Sequence, residues 1–262
     1  MAGSCLMHEW LFEHAERRPD APAVATPAHR LTYGVLADRV RALAGHLAAA
    51  GVSRGDRVLA ALPNVPATVV ASLAVQALGA TAVEVNREWS VDALEEILAQ
   101  TGARHAFVWG RDARTWEKVV AEKRLDRLWI VHAGALRESG GRATPATLVL
   151  EDGRADPALP PAPAPRLPAI DPGAAALVLY TSGSTGRPRG VVQTFRNVDA
   201  NSRSIVRYLE LGPEDRALLV LPLHYCYGRS VLQTHLLAGG SIFLDSRFAF
   251  PRVVVEALAA EG

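Results

Sequence analysis

Lysine is nearly missing from this chain of 262 residues: Lys118 and Lys123 are its only two, both in a charged helical stretch best read as a solvated face. Cysteine is as scarce. Cys5 and Cys226 stand far apart with no metal-ligand spacing, which excludes a disulfide framework and a zinc site and suits a reducing compartment. Two residues apart, His224 and Cys226 lack an orienting third group, so a cysteine hydrolase is set aside. The formal net charge is only +1, which removes the electrostatic case for a nucleic-acid partner. No apolar run reaches membrane-spanning length, and the first ten residues carry His8 and Glu9 instead of a basic leader, so a cytoplasmic protein without a membrane span is expected. No repeat of fixed period occurs.

What is present is apolar residue in quantity, 49% of the chain, enough for a large buried core. Short apolar runs at 57–62, 81–85, 105–109 and 128–132 alternate with helical patterns at 66–78 and 90–100. A first helix is expected over 6–17. Thr32 is placed to cap a second, with Leu36, Val40, Leu43 and Leu47 at helical spacing and Gly51 at its end. His105, Trp109, Trp129 and His132 sit in strand-like runs and are read as core or its edge. Six prolines within residues 156–168 resist helix and central strand. The chain therefore divides into a first α/β subdomain at 1–155, a proline-rich connector at 156–170 and the start of a second α/β subdomain at 171–262. Beyond the connector the pattern predicts strands at 174–180, 217–223 and 241–245 and helices at 197–209, 230–237 and 250–260. The fold class is α/β, with mainly parallel sheets flanked by helices.

The most informative segment is residues 181–190. Thr181, Ser182, Ser184 and Thr185 supply hydroxyls, Gly183, Gly186 and Gly190 let backbone N–H groups approach an anion, and Arg187 and Arg189 supply positive charge. It follows the apolar run at 174–180, so it leaves a strand end, and Pro188 stiffens it. Together these features make a phosphate cradle. The spacing fits neither a Walker loop nor a dinucleotide fingerprint.

This stretch closely resembles the signature loop of the adenylate-forming superfamily, which includes acyl-CoA synthetases, luciferases and peptide-synthetase adenylation domains. Where that loop usually ends in Pro-Lys-Gly, this one reads Pro188-Arg189-Gly190, which keeps the charge but substitutes a planar fork for a point charge. The segment at 221–228, with His224, Tyr225 and Gly228, is similar to the next family motif. So are Leu31-Thr32-Tyr33-Gly34 and the stretch at 51–58, so the resemblance spans most of the chain. One departure is Phe195, where many relatives carry histidine.

The resemblance implies an ATP-dependent ligase that activates a carboxylic acid as acyl-adenylate and passes it to a thiol, of coenzyme A or of a phosphopantetheine arm. It assigns Thr181, Ser182, Gly183, Ser184, Thr185, Gly186, Arg189 and Gly190 to the nucleotide, Thr185 and Arg189 to catalysis, and Thr185 to Mg²⁺. His224, Tyr225 and Gly228 go to the acid substrate, with a satisfied structural histidine as the alternative for His224. Family motifs that hold adenine and ribose and carry a catalytic lysine have no counterpart here. The chain is accordingly expected to hold the N-terminal portion of the fold, with an incomplete second subdomain and an incomplete site. The missing C-terminal portion, a complementary chain or self-association would then cover what is left exposed. A carrier-protein-loading enzyme and a non-catalytic nucleotide-binding scaffold are the alternative functions.

Overall fold

A computed structural model describes residues 4–122, 125–132, 146–155, 157, 159–181, 187–247, 250, 252, 254–256 and 259. In chain order it contains α1 (Met7–Arg17), β1 (Pro22–Ala25), β2 (Arg30–Thr32), α2 (Tyr33–Ala49), β3 (Arg57–Ala61), α3 (Pro66–Ala77), β4 (Thr81–Glu84), α4 (Val91–Thr101), β5 (His105–Trp109), α5 (Ala113–Glu122), β6 (Arg127–His132) and β7 (Ala146–Leu150). There follow β8 (Ala175–Thr181), β9 (Arg189–Thr194), α6 (Phe195–Leu209), β10 (Arg216–Leu219), α7 (Cys226–Ala238) and β11 (Ser241–Leu244). Of the helix expected at 250–260, the described residues Arg252, Val254, Val255, Glu256 and Ala259 are helical, and the rest apart from Phe250 lie outside the described residues.

Two sheets form. The larger runs β7-β6-β5-β3-β4-β8-β9 and is parallel except for β9; the smaller runs β10-β11-β1-β2 and is parallel except for β2. The apolar runs follow from this arrangement, because a parallel strand covered on both faces must be hydrophobic at successive positions. Period-two alternation still sorts the faces. Val58, Ala60, Ala82, Phe107 and Trp129 join the core that also takes in α1, α2, α3 and α7, whereas Leu59, Ala61, Val83, Val108 and Ile130 pack with α4 and α5 on the other side.

Local signals act as their chemistry requires. The Thr32 hydroxyl accepts from the Val35 N–H at the start of α2, and Ser90 does the same for Ala93 at the start of α4. Strands β1, β2, β7 and β9 were not anticipated. β1 takes its place between β2 and β11, the latter more than two hundred residues away in the chain. The larger sheet takes β8 and β9 from beyond the proline-rich segment, and the smaller takes β1 and β2 from before it. The division at 156–170 is thus one along the chain and not between sheets. Residues 160–170 form neither helix nor strand and are tied to the body: a Cβ on Gly45 of α2 would stand 2.6 Å from the Pro163 carbonyl oxygen, and Leu167 and Ile170 pack on the core.

The chemistry that sequence reasoning missed most plainly lies inside this core. Glu84, near the middle of the apolar run at 81–85, leaves β4 on the face turned toward α3 and α7. Arg229 of α7 donates to its carboxylate at 2.6 Å and, through its other terminal nitrogen, to the Ser72 hydroxyl of α3 at 2.7 Å. Both charged residues are at most 2% exposed. Burial pushes the Glu84 carboxyl above its ordinary range, and the neighbouring guanidinium opposes that push. An acid within a strand-like run was the available signal.

Removing one partner of such a pair strands the other charge in the core. Arg229→Met is expected to lose about 3–5 kcal/mol of stability in urea denaturation, and Glu84→Gln combined with it is expected to recover a substantial part.

Candidate functional site

In parallel α/β sheets ligands gather outside the carboxyl ends of the strands. Here β8 ends at Thr181, and the chain returns antiparallel as β9, with Thr181 opposite Arg189 and Tyr180 opposite Gly190. The glycine- and hydroxyl-rich segment is therefore held by its two ends at this edge. Residues 182–186 themselves, and with them the roles expected of Ser182, Gly183, Ser184, Thr185 and Gly186, lie outside the described residues. Thr181, Arg187, Arg189 and Gly190 are exposed, and among the described residues neither arginine has an ion pair. Gly190 has a steric reason as well: a Cβ there would meet Val178 Cγ1 at 2.9 Å and Tyr180 Cζ at 3.0 Å.

Tyr180 and Gln100 brace this hairpin. The Tyr180 hydroxyl donates to Gln100 Oε1 at 3.0 Å, and Gln100 Nε2 reaches the Pro188 carbonyl at 3.4 Å, so α4 holds one strand and the returning segment together. Trp89 meets the Tyr180 ring edge-on at 6.3 Å between centroids. Neither Gln100 nor Trp89 was singled out from sequence, because each earns its place only through strand order.

Below the hairpin lies a cavity of about 380 Å³, whose walls include Asn86, Trp89, Tyr180, Thr181, His224 and Tyr225. A second, of about 280 Å³, shares Asn86, His224 and Tyr225 and adds Pro63, Asn64 and Arg87. Asn64 positions the segment that delivers His224: its side-chain amide donates to the Leu221 carbonyl at 2.9 Å and accepts from the Leu223 N–H at 3.2 Å. The structure thus brings Thr181, His224 and Tyr225 to one cavity. Gly228 is not among the residues lining either space. It lies buried in α7, where a Cβ would fall 2.6 Å from the Pro222 carbonyl oxygen, so its smallness lets the helix start against that segment. Phe195, at the position of the family histidine, begins α6 fully buried and faces His8 edge-on.

His224 Nε2 is buried without a hydrogen-bond partner among the described residues, and the His224 ring lies 4.5 Å from that of Tyr225. Burial lowers its pKa to about 4, and does the same to His8. Both imidazoles are neutral at pH 7, which suits His224 to hydrogen bonding at a cavity wall more than to neutralising phosphate. Among the described residues no cluster of three or more His, Cys, Asp or Glu could hold a metal ion, and no helix is long and apolar enough to cross a membrane.

Because the unfolded chain binds these protons near pH 6.5 and the folded chain near 4, stability is present above about pH 6.5 and drains away as pH falls toward 4. Denaturation followed between pH 7 and pH 4 is expected to show this loss, and His8→Phe and His224→Phe should each flatten part of it.

Residues 11–262 match the family of AMP-binding enzymes. The sulfoacetate–CoA ligase of Cupriavidus necator is 35% identical over 240 residues, covering 90% of this chain and 44% of its own length. A feruloyl-CoA synthase of Amycolatopsis is 33% identical over 254 residues, covering 96% of this chain and 46% of that protein. Among solved structures, a long-chain-fatty-acid CoA ligase described as putative, from Rhodopseudomonas palustris, superposes with a TM-score of 0.82 at 21% identity, covering 98% of this chain and 61% of the other. That last likeness concerns the fold alone. The chain spans a little under half the length of these two curated relatives.

Proposed function

The chain belongs to the AMP-binding enzyme family, and from that premise we propose that it is the nucleotide-cradling part of an ATP-dependent acid–thiol ligase. The observation that supports this reading best is the β8–β9 hairpin, which sets Thr181 against Arg189 at the carboxyl edge of a parallel sheet, directly over a cavity of about 380 Å³.

In the proposed reaction a carboxylate oxygen of the acid attacks the α-phosphorus of ATP, the bond to the bridging oxygen breaks, and pyrophosphate leaves. The acyl-adenylate then yields its acyl group to the thiol of coenzyme A or of a phosphopantetheine arm, and AMP departs. Such a step asks for alignment and for neutralisation of crowded negative charge, with no covalent protein nucleophile. Ser182, Gly183, Ser184, Thr185 and Gly186 are proposed to cradle the β- and γ-phosphates, and Arg189 to offset their charge as a bidentate donor. Mg²⁺ supplies further neutralisation when bound, with Thr185 as the proposed contact. His224 and Tyr225 are proposed to border the acid's carboxylate, with Gly228 supporting the turn beneath them.

The two curated relatives act, by their names, on sulfoacetate and on ferulate, acids that share little beyond the carboxylate. That common group is what the hairpin and the cavity below it are suited to receive. Coenzyme A as acceptor agrees with the naming of those relatives, and a carrier protein remains the second reading for the thiol. We propose further that the 262 residues bind nucleotide without turning it over, completion of the site requiring groups from a further portion of protein.

Calorimetric titration of the chain with ATP and Mg²⁺ is expected to show saturable binding, weakened at least about tenfold by Gly183→Val and by Arg189→Ala. An affinity that neither substitution moves would overturn the assignment. Carboxylate-dependent exchange of pyrophosphate into ATP by the chain alone would instead show that its site is already sufficient for the first half-reaction.

A further inference from the structure

A third cavity, of about 260 Å³, lies between β9, α6 and α7. Its walls are unlike those beneath the hairpin: Gln193, Asn197, Asn201, Arg229, Ser230 and Gln233 contribute six polar side chains. It shares Leu179, Gln193 and Cys226 with the cavity that Thr181 borders, so the two spaces adjoin.

Two of these side chains are buried donors with capacity to spare. Arg229 is 1% exposed and Gln233 3% exposed, and among the described residues Arg229 Nε and Gln233 Nε2 have no hydrogen-bond partner. Leaving such groups unpaired is costly, more so where the group is charged, so a partner from outside the chain would be rewarded. The charge of Arg229 is already answered by Glu84 at 2.6 Å, and a second anion would face that carboxylate as well as the guanidinium. An uncharged acceptor suffers no such opposition. An alkyl chain would cover the donors and return nothing.

We propose that this chamber is the far end of the acid-binding site and that it selects carboxylic acids bearing an uncharged hydrogen-bond acceptor, a carbonyl, hydroxyl or amide, over alkyl acids of the same length. The inference rests on the ligase reading, which places the acid's carboxylate near Thr181 and sends the remainder past Leu179 and Cys226. Gln233 and Arg229 are then specificity determinants, and Gln193, Asn197 and Asn201 complete a polar wall.

The test titrates the chain, with ATP and Mg²⁺ present, with matched series of unsubstituted, oxo-substituted and terminal-amide carboxylic acids of three to eight carbons, while ATP binding is measured separately. The expected result is a preference of at least about tenfold for a polar acid over its alkyl counterpart. Gln233→Leu, and independently Asn201→Leu at an exposed position that the fold does not need, should reduce or invert it with ATP affinity unchanged. Alkyl acids binding as tightly as polar ones, a preference that survives both substitutions, or ATP binding without binding of any acid would each overturn the proposal. A polar preference that persists where ATP fails to bind would support the chamber and count against the nucleotide reading alone.

Discussion

A carboxylate buried within a parallel sheet must be answered, and the answer given to Glu84 organises much of this molecule. Its side chain leaves β4 on the core face, and Arg229 reaches it from α7 while also holding Ser72 of α3. A central strand of the larger sheet, a helix that covers it and a helix that packs on the smaller sheet are thereby fastened at one point. Apolar packing alone would tolerate sliding between such layers. A deeply buried, hydrogen-bonded ion pair tolerates very little.

The position of the cavity follows from that fastening. With α7 fixed, the segment leading into it runs beside the carboxyl ends of β4 and β8, and Asn64 holds that segment by its backbone at Leu221 and Leu223. His224 and Tyr225 arrive opposite Thr181 as a result. The hairpin above is set just as firmly, since Gly190 lets Tyr180 lie close against β9 and Gln100 links the Tyr180 hydroxyl to the Pro188 carbonyl. The segment proposed to cradle phosphate is thus anchored at both of its described ends, at Thr181 and Arg189, in register across the hairpin. In the proposed ligase reading, the contrast between a largely apolar space under the hairpin and a polar one beside α7 separates the place for the reacting end of an acid from the place that reads its other end.

What the residues by themselves determined was local. Helical periodicity, the Thr32 cap and apolar runs bounded by turn residues defined elements such as the run at 105–109, which matches β5 residue for residue. The composition of residues 181–190 raised the expectation of anion binding without reference to any neighbour. These signals survive in a single sequence because they concern residues a few positions apart, where backbone geometry ties spacing to face. Only the tertiary structure decided that β1 pairs with β11, that β9 turns back along β8, that Phe195 is core, and that Glu84 and Arg229, separated by 145 positions, neutralise each other. Each of these depends on which surfaces meet after the chain closes on itself. A side chain's burial, its unpaired donor and its opposing charge are properties of that meeting, and no spacing along the chain records them.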